Sequence, residues 1–243
     1  MDGPGSSSLA AVSSPEEAGK ATQYVGFILD SSGSMGDVRD AARTNFNEQV
    51  QQVRNDASAN ADTLRTLVSL ITFNTVVTPV FMHRDSDALQ ELAAKDYSPG
   101  GMTALRDAVG HYITECERLP DINDPTTSVL LVIVTDGYEN ASVVWKQEAL
   151  AEKIQSLQGT ERWTFTYLGA NQDLATVAGE LHIPVGNVRS FHSSAQGLIA
   201  ASMDNRAGIS SYFSARSQAV NLGATYDTSS FYEDAGLKDQ DQE

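Results

Sequence analysis

Apolar residues run without interruption through "YVGFIL" (24–29), "TLVSLITF" (66–73), "SVLLVIVT" (128–135) and "WTFTYL" (163–168). Runs of strand length, rich in β-branched and aromatic residues, predict central parallel strands covered on both faces. "VVTPVFM" (76–82) carries Pro79, which cannot donate to a strand ladder and so belongs on an edge. The dipeptide "NT" at 74–75 can fold this run back on its predecessor as a hairpin. Between the runs the period changes to that of a helix. Val38, Ala42, Phe46, Val50 and Val53 mark one apolar face, and Leu105, Ala108, Val109, Tyr112, Ile113 and Cys116 mark another. Segments 145–157, 173–181 and 195–213 are expected to be helical too, and a short strand precedes the last. The order of elements predicts an α/β fold. Its doubly wound, mostly parallel central sheet has one antiparallel edge strand and helices on both faces.

The two ends differ from this body. Residues 1–21 are rich in Ser, Gly, Ala and Pro, a composition expected of a disordered segment. A single domain is expected over 22–214, followed by an acidic C-terminal tail over 215–243. Two possibilities stay open for the tail. It is a solvated, frayed end, or its aromatics Tyr226, Phe231 and Tyr232 dock on the domain or on a partner.

Length and charge narrow the function. A chain of 243 residues suits one sizeable core. With 32 acidic and 16 basic side chains its net charge is −16, which opposes binding to phosphate backbones and anionic lipid. Neither nucleic acid nor membrane is an expected partner. One cysteine, Cys116, permits no intrachain disulfide, and "LAAV" is too short for a signal peptide or membrane span, so the expected location is cytoplasmic.

Candidate chemistry lies where apolar strands stop. In an open parallel sheet, ligands gather outside the carboxyl ends of the strands. The 24–29 run leads into "DSSGSMG" and the 128–135 run into "TDGYEN", so Asp30 and Asp136 both stand at strand ends. A third segment, "SPGGMTALRDA" (98–108), offers paired glycines for a tight turn and then Thr103, expected at the start of a helix. Should these loops meet, Asp30, Ser32, Ser34, Thr103 and Asp136 form a set of five oxygen donors. Carboxylates and hydroxyls suit Mg²⁺, or alternatively Mn²⁺ or Ca²⁺, and not zinc, which favours thiolate and imidazole. Two carboxylates against a divalent ion leave it electrophilic, with room for an outside carboxylate.

The D-x-S-x-S of Asp30, Ser32 and Ser34, the "GMT" threonine at 103 and the "TDG" aspartate at 136 together resemble the von Willebrand factor type A family. The resemblance covers about residues 23–214, and it implies a Rossmann-like fold with an intact metal-ion-dependent adhesion site. By that resemblance Ser32, Ser34 and Thr103 supply hydroxyls, and Asp30 and Asp136 act directly or through water. Gly33 and Gly137 would give the loops their tight turns. Glu139 is expected to be an exposed loop acid, and Asp37 and Asp40 to be helix N-terminal acids. The function implied is a non-enzymatic module whose bound cation accepts an Asp or Glu carboxylate from a protein partner. Two alternatives stand beside it: a subunit of a larger assembly, such as an AAA-type ATPase system or a phage-related complex, and a metal-dependent hydrolase.

Other chemistries find little footing. No G-x-S-x-G or histidine triad context surrounds the serines, and "SGSMG" lacks the lysine of a P-loop. His83, His111, His182 and His192 show no metal-binding spacing, and Cys116 falls on an apolar helix face as a buried thiol.

Overall fold

The four apolar runs form the centre of a six-stranded sheet of order β3-β2-β1-β4-β5-β6. The computed structural model describes residues 19–170 and 173–237. The strands are β1 (Ala21–Asp30), β2 (Leu64–Phe73), β3 (Val77–Asp85), β4 (Ser128–Thr135), β5 (Trp163–Ala170) and β6 (Val188–Phe191). All neighbours pair in parallel except β2 and β3, whose antiparallel ladder shifts register near Pro79, at the edge where its missing N–H is tolerated. The expected α/β class, the parallel centre and the antiparallel edge are all present.

Strand alternation divides the core in two. Val25, Phe27 and Leu29 of β1 face α1 (Arg39–Ala59) and α5 (Ala195–Leu222). Tyr24 and Ile28 face α2 (Leu105–Glu117), α3 (Gln147–Gln158) and α4 (Leu174–Leu181). Gly26 shares that second face because Tyr112 lies across it: a β-carbon there would come within 2.3 Å of the Tyr112 ring. From β1 the chain winds outward through β2 and β3, then returns to place β4 on the other side of β1. The strand order therefore reverses between β1 and β4, which opens a crevice at their carboxyl ends.

The C-terminal part is longer and more firmly held than the sequence pattern suggests. The helix expected over 195–213 continues to Leu222, burying Arg216, Ser217 and Ala219, and stops where Gly223 adopts φ 62°. Of the two possibilities for the tail aromatics, docking on the domain is observed: Phe231 and Tyr232 are each 1% exposed. The Phe231 ring fills a notch at Gly208, where a β-carbon would approach it to 2.3 Å. Tyr232 donates to Asn205 Oδ1 at 3.1 Å, and the Arg189 guanidinium lies 5.2 Å from its ring centre. Residues 1–18 of the expected disordered segment and 238–243 of the tail lie outside the described residues.

These contacts generate two predictions for urea unfolding. Gly26→Ala is expected to cost about 1–3 kcal/mol by overpacking against Tyr112. Gly179→Ala, in a helix with nothing near its β-carbon position, is expected to stabilise by about 0.5–1 kcal/mol; equal effects at the two sites would contradict the packing. Phe231→Ala is expected to cost about 3–5 kcal/mol, as for a core aromatic, whereas a solvated tail predicts no change.

Candidate functional site

Adjacent strands β1 and β4 end in Asp30 and Thr135, so the first loop and the 136–142 loop start side by side. Asp30 is 0% exposed. Its Oδ1 accepts the Ser32 N–H at 2.6 Å and its Oδ2 accepts the Thr135 hydroxyl at 2.5 Å. Ser34 donates its hydroxyl to Asp136 Oδ1 at 2.6 Å, and Ser32 Oγ lies 3.2 Å from Ser34 Oγ. One point above Gly137, where a β-carbon would sit, is 3.0 Å from Thr103 Oγ1, 3.6 Å from Ser34 Oγ and 3.7 Å from Asp30 Oδ2. Asp30, Ser32, Ser34, Thr103 and Asp136 thus share one mouth, although they come from three separate stretches of chain.

Backbone bonds sew the three loops together. Gly33 N–H donates to Gly101 O at 3.1 Å and Gly100 N–H to Ser31 O at 2.8 Å, joining the first loop to the second. Thr103 N–H donates to Asn140 Oδ1 at 2.8 Å and Asn140 N–H returns to Thr103 O at 3.0 Å, joining the second to the third. From below, the Tyr97 hydroxyl donates to Asp30 O at 2.5 Å, and Arg39 Nε donates to Tyr97 O at 3.0 Å. The glycine roles differ from those expected. Neither Gly33 nor Gly137 has positive φ; they matter for close approach, since a β-carbon on Gly33 would meet Gly101 O at 3.4 Å and one on Gly137 would crowd Thr103. The left-handed turn belongs to Gly101, at φ 77°.

Two further expectations need correction. Thr103 does not cap the helix it precedes: α2 begins at Leu105, and its N-cap Ala104 makes no side-chain bond. The first N–H groups are satisfied from the third loop instead, Arg106 N–H donating to Glu139 Oε2 at 2.8 Å and Asp107 N–H to Ser142 Oγ at 3.0 Å. Glu139 is therefore not an exposed loop acid. Half-buried, it also accepts the Ala141 and Ser142 N–H groups and the Ser142 hydroxyl. Burial pushes its carboxyl up, but the bonds from Ser142, Arg106 and Ala141 outweigh that and hold it below the usual range. Asp37 and Asp40 are exposed, and Asp40 sits in the first turn of α1 as expected. Cys116 is buried, its thiol pushed up to about 12 chiefly by desolvation.

The mouth has an electrostatic deficit. Burial raises the Asp30 carboxyl above its ordinary value, partly offset by Thr135 and Ser32, with the Asp136 charge adding to the rise. Burial likewise raises Asp136, the Ser34 bond offsets it in part, and Asp37 adds repulsion. Among the described residues no Lys, Arg or His forms an ion pair with either carboxylate. Nor do the described residues contain a cluster of three or more His, Cys, Asp or Glu suited to a metal. A hard divalent cation would relieve the strain between the two acids, and the surrounding donors fit one: two carboxylates and three hydroxyls, all oxygen.

Solved structures share the fold at low identity. A von Willebrand factor type A protein from Catenulispora acidiphila is 18% identical, with TM-score 0.50 over 77% of this chain and 42% of its own. The PilB minor pilin from Streptococcus sanguinis is 11% identical, with TM-score 0.54 over 79% and 62%. Proximal thread matrix protein 1 from the mussel byssus, with a zinc-occupied MIDAS motif, is 17% identical, with TM-score 0.50 over 77% and 45%. The chain thus spans less than two thirds of the length of each. No curated protein matches the sequence. The model of the von Willebrand factor type A domain matches residues 25–196, from the first central strand to the start of the last helix, and the chain belongs to that family.

Proposed function

We propose that the domain is a metal-dependent protein-binding module in which Asp30, Ser32, Ser34, Thr103 and Asp136 hold a divalent cation that accepts an Asp or Glu carboxylate from a protein partner. The observation that carries this is the buried carboxylate of Asp30 beside the half-buried carboxylate of Asp136, meeting three hydroxyls with no cationic side chain paired to them among the described residues. Bound there, the cation supplies an exchangeable coordination position for an external oxygen. The chain's own residues set the rest. Thr135 and the Ser32 N–H orient Asp30, and Ser34 directs its hydrogen onto Asp136, which leaves its lone pairs for the ion. The sewn loops keep this arrangement preformed, which limits the ordering cost of binding.

The zinc reported in the mussel byssus protein supports occupancy by a divalent ion in this kind of motif. Here the donors are all oxygen, which supports Mg²⁺, with Mn²⁺ or Ca²⁺ as alternatives. Von Willebrand factor type A domains are generally interaction modules and not enzymes. A cytoplasmic location is part of the proposal; among the described residues no helix is long and apolar enough to cross a membrane.

Two measurements test this. In calorimetric titration of EDTA-treated protein, Mn²⁺ is expected to bind at one site, and Asp136→Ala to weaken it by at least about tenfold, the lower range seen even for outer-shell partners. Unchanged binding in the variant would overturn the ligand set. Without metal, the folded state holds the Asp30 proton more tightly than the unfolded chain does, so stability falls as pH rises through the window above the ordinary carboxylate value of 3.8. Asp30→Asn should therefore raise the melting temperature of metal-free protein at pH 7. Added Mg²⁺ should reverse the order by stabilising only the wild type. A variant less stable than wild type without metal, and unchanged in its ranking by Mg²⁺, would contradict the account.

A further inference from the structure

The loops that build the mouth, together with the turn between β2 and β3, also display apolar side chains that the core leaves in water. Val76, Met102, Tyr138, Val143 and Val144 are 64%, 51%, 69%, 89% and 76% exposed. Val76 lies on the turn between β2 and β3, Met102 precedes Thr103, and the other three belong to the loop between β4 and α3. These pieces are joined: Met102 N–H donates to Thr75 Oγ1 at 2.9 Å, and Asn140 N–H donates to Thr103 O at 3.0 Å. Beside them, Tyr138 and Leu105 line a cleft of about 50 Å³ whose other walls are partly apolar, from Tyr167, Val177 and Leu181, and partly charged, from Arg106, Glu139 and Glu180. Scattered exposed apolar residues need no explanation, but five of them on loops bonded to one another beside a polar site point to an interaction surface.

Rigidity strengthens the case. The Asp107 carboxylate accepts the N–H groups of Val143, Val144 and Trp145 at 2.8, 3.0 and 2.7 Å. Trp145 packs on Gly110, where a β-carbon would come within 2.2 Å of its indole nitrogen. Glu139 pins the preceding residues. With its backbone fixed at both ends, the loop keeps its two valines in water and holds them ready for a partner at little ordering cost.

We infer that this apolar ledge receives the residues flanking the partner's carboxylate, so that the partner is a segment with one Asp or Glu set between aliphatic or aromatic side chains. This deepens the metal-dependent function proposed above and rests on it. The cation can take up one external carboxylate, and a chain of net charge −16 repels further acids. The selected segment therefore carries a lone acid, apolar neighbours and, further out, basic residues. Tyr138 has the amphipathic, low-entropy side chain common at binding hot spots.

The test is selection of a random dodecapeptide display library on the full chain loaded with Mn²⁺. Enriched peptides are expected to carry one acidic residue with an aliphatic or aromatic residue close by, and to be released by EDTA. Synthetic copies should bind Val143→Ser/Val144→Ser at least about tenfold more weakly, while that variant keeps wild-type Mn²⁺ affinity. Acidic, EDTA-sensitive peptides without apolar neighbours, or ones that bind the valine variant equally well, would overturn the ledge and leave the metal-dependent function standing. Peptides that need the valines but ignore EDTA and Asp136→Ala would overturn both. No enrichment would also overturn the ledge, and the separate Mn²⁺ titration then decides the metal site.

Discussion

A carboxylate at the end of a central strand has to be reconciled with almost complete removal from water. Asp30 is held there by the Ser32 N–H of its own loop and by the Thr135 hydroxyl, and the second of these bonds ties the exit of β1 to the exit of β4. They offset the burial only in part, and the second acid, Asp136, adds to the charge. The features around the mouth can all be read as containing this deficit: hydroxyls facing inward, loops joined by hydrogen bonds, and, in the proposed function, a cation drawn by two acids that have no basic partner among the described residues. The fold supplies the place, because the strand order reverses between β1 and β4 and leaves their loops free to diverge.

Four of the acids near the mouth divide into two kinds. Asp30 and Asp136 are raised by burial, and each accepts a hydroxyl bond, Asp30 from Thr135 and Asp136 from Ser34. Glu139 and Asp107 are saturated by backbone N–H groups and hold the loop between β4 and α3 on the start of α2. The first pair is suited to a ligand and the second to rigidity. Removing Glu139 would loosen Thr103 indirectly, through Asn140 and the loop that carries it.

Much of the fold was legible because the central strands are buried on both faces and so read as unbroken apolar runs. Pro79 marked the edge for the equally direct reason that it cannot donate to a ladder. The candidate site was legible in part: acids at strand ends pointed to Asp30 and Asp136, and the hydroxyls beside them followed. Thr135 escaped notice although it directly precedes Asp136, because it completes an apolar run. Glu139 and Asp107 escaped for a different reason. The bonds that clamp this loop to α2, from Arg106 to Glu139 and from Val143 to Asp107, join residues tens of positions apart that only the folded sheet brings together. The length of α5 was hidden as well. Its buried positions serve the sheet, the docked Phe231 and Tyr232, and a polar seam with α1 in which Asn205 donates to Gln49 at 2.8 Å, so they form no single apolar stripe.

The most direct measurement of the central claim is anomalous X-ray scattering from crystals grown with Mn²⁺. The account predicts one strong peak in the mouth between Asp30 and Asp136, ringed by the oxygens of Ser32, Ser34 and Thr103. A mouth without a peak, with Ser34 and Asp136 still bonded to each other and manganese bound elsewhere or not at all, would contradict it.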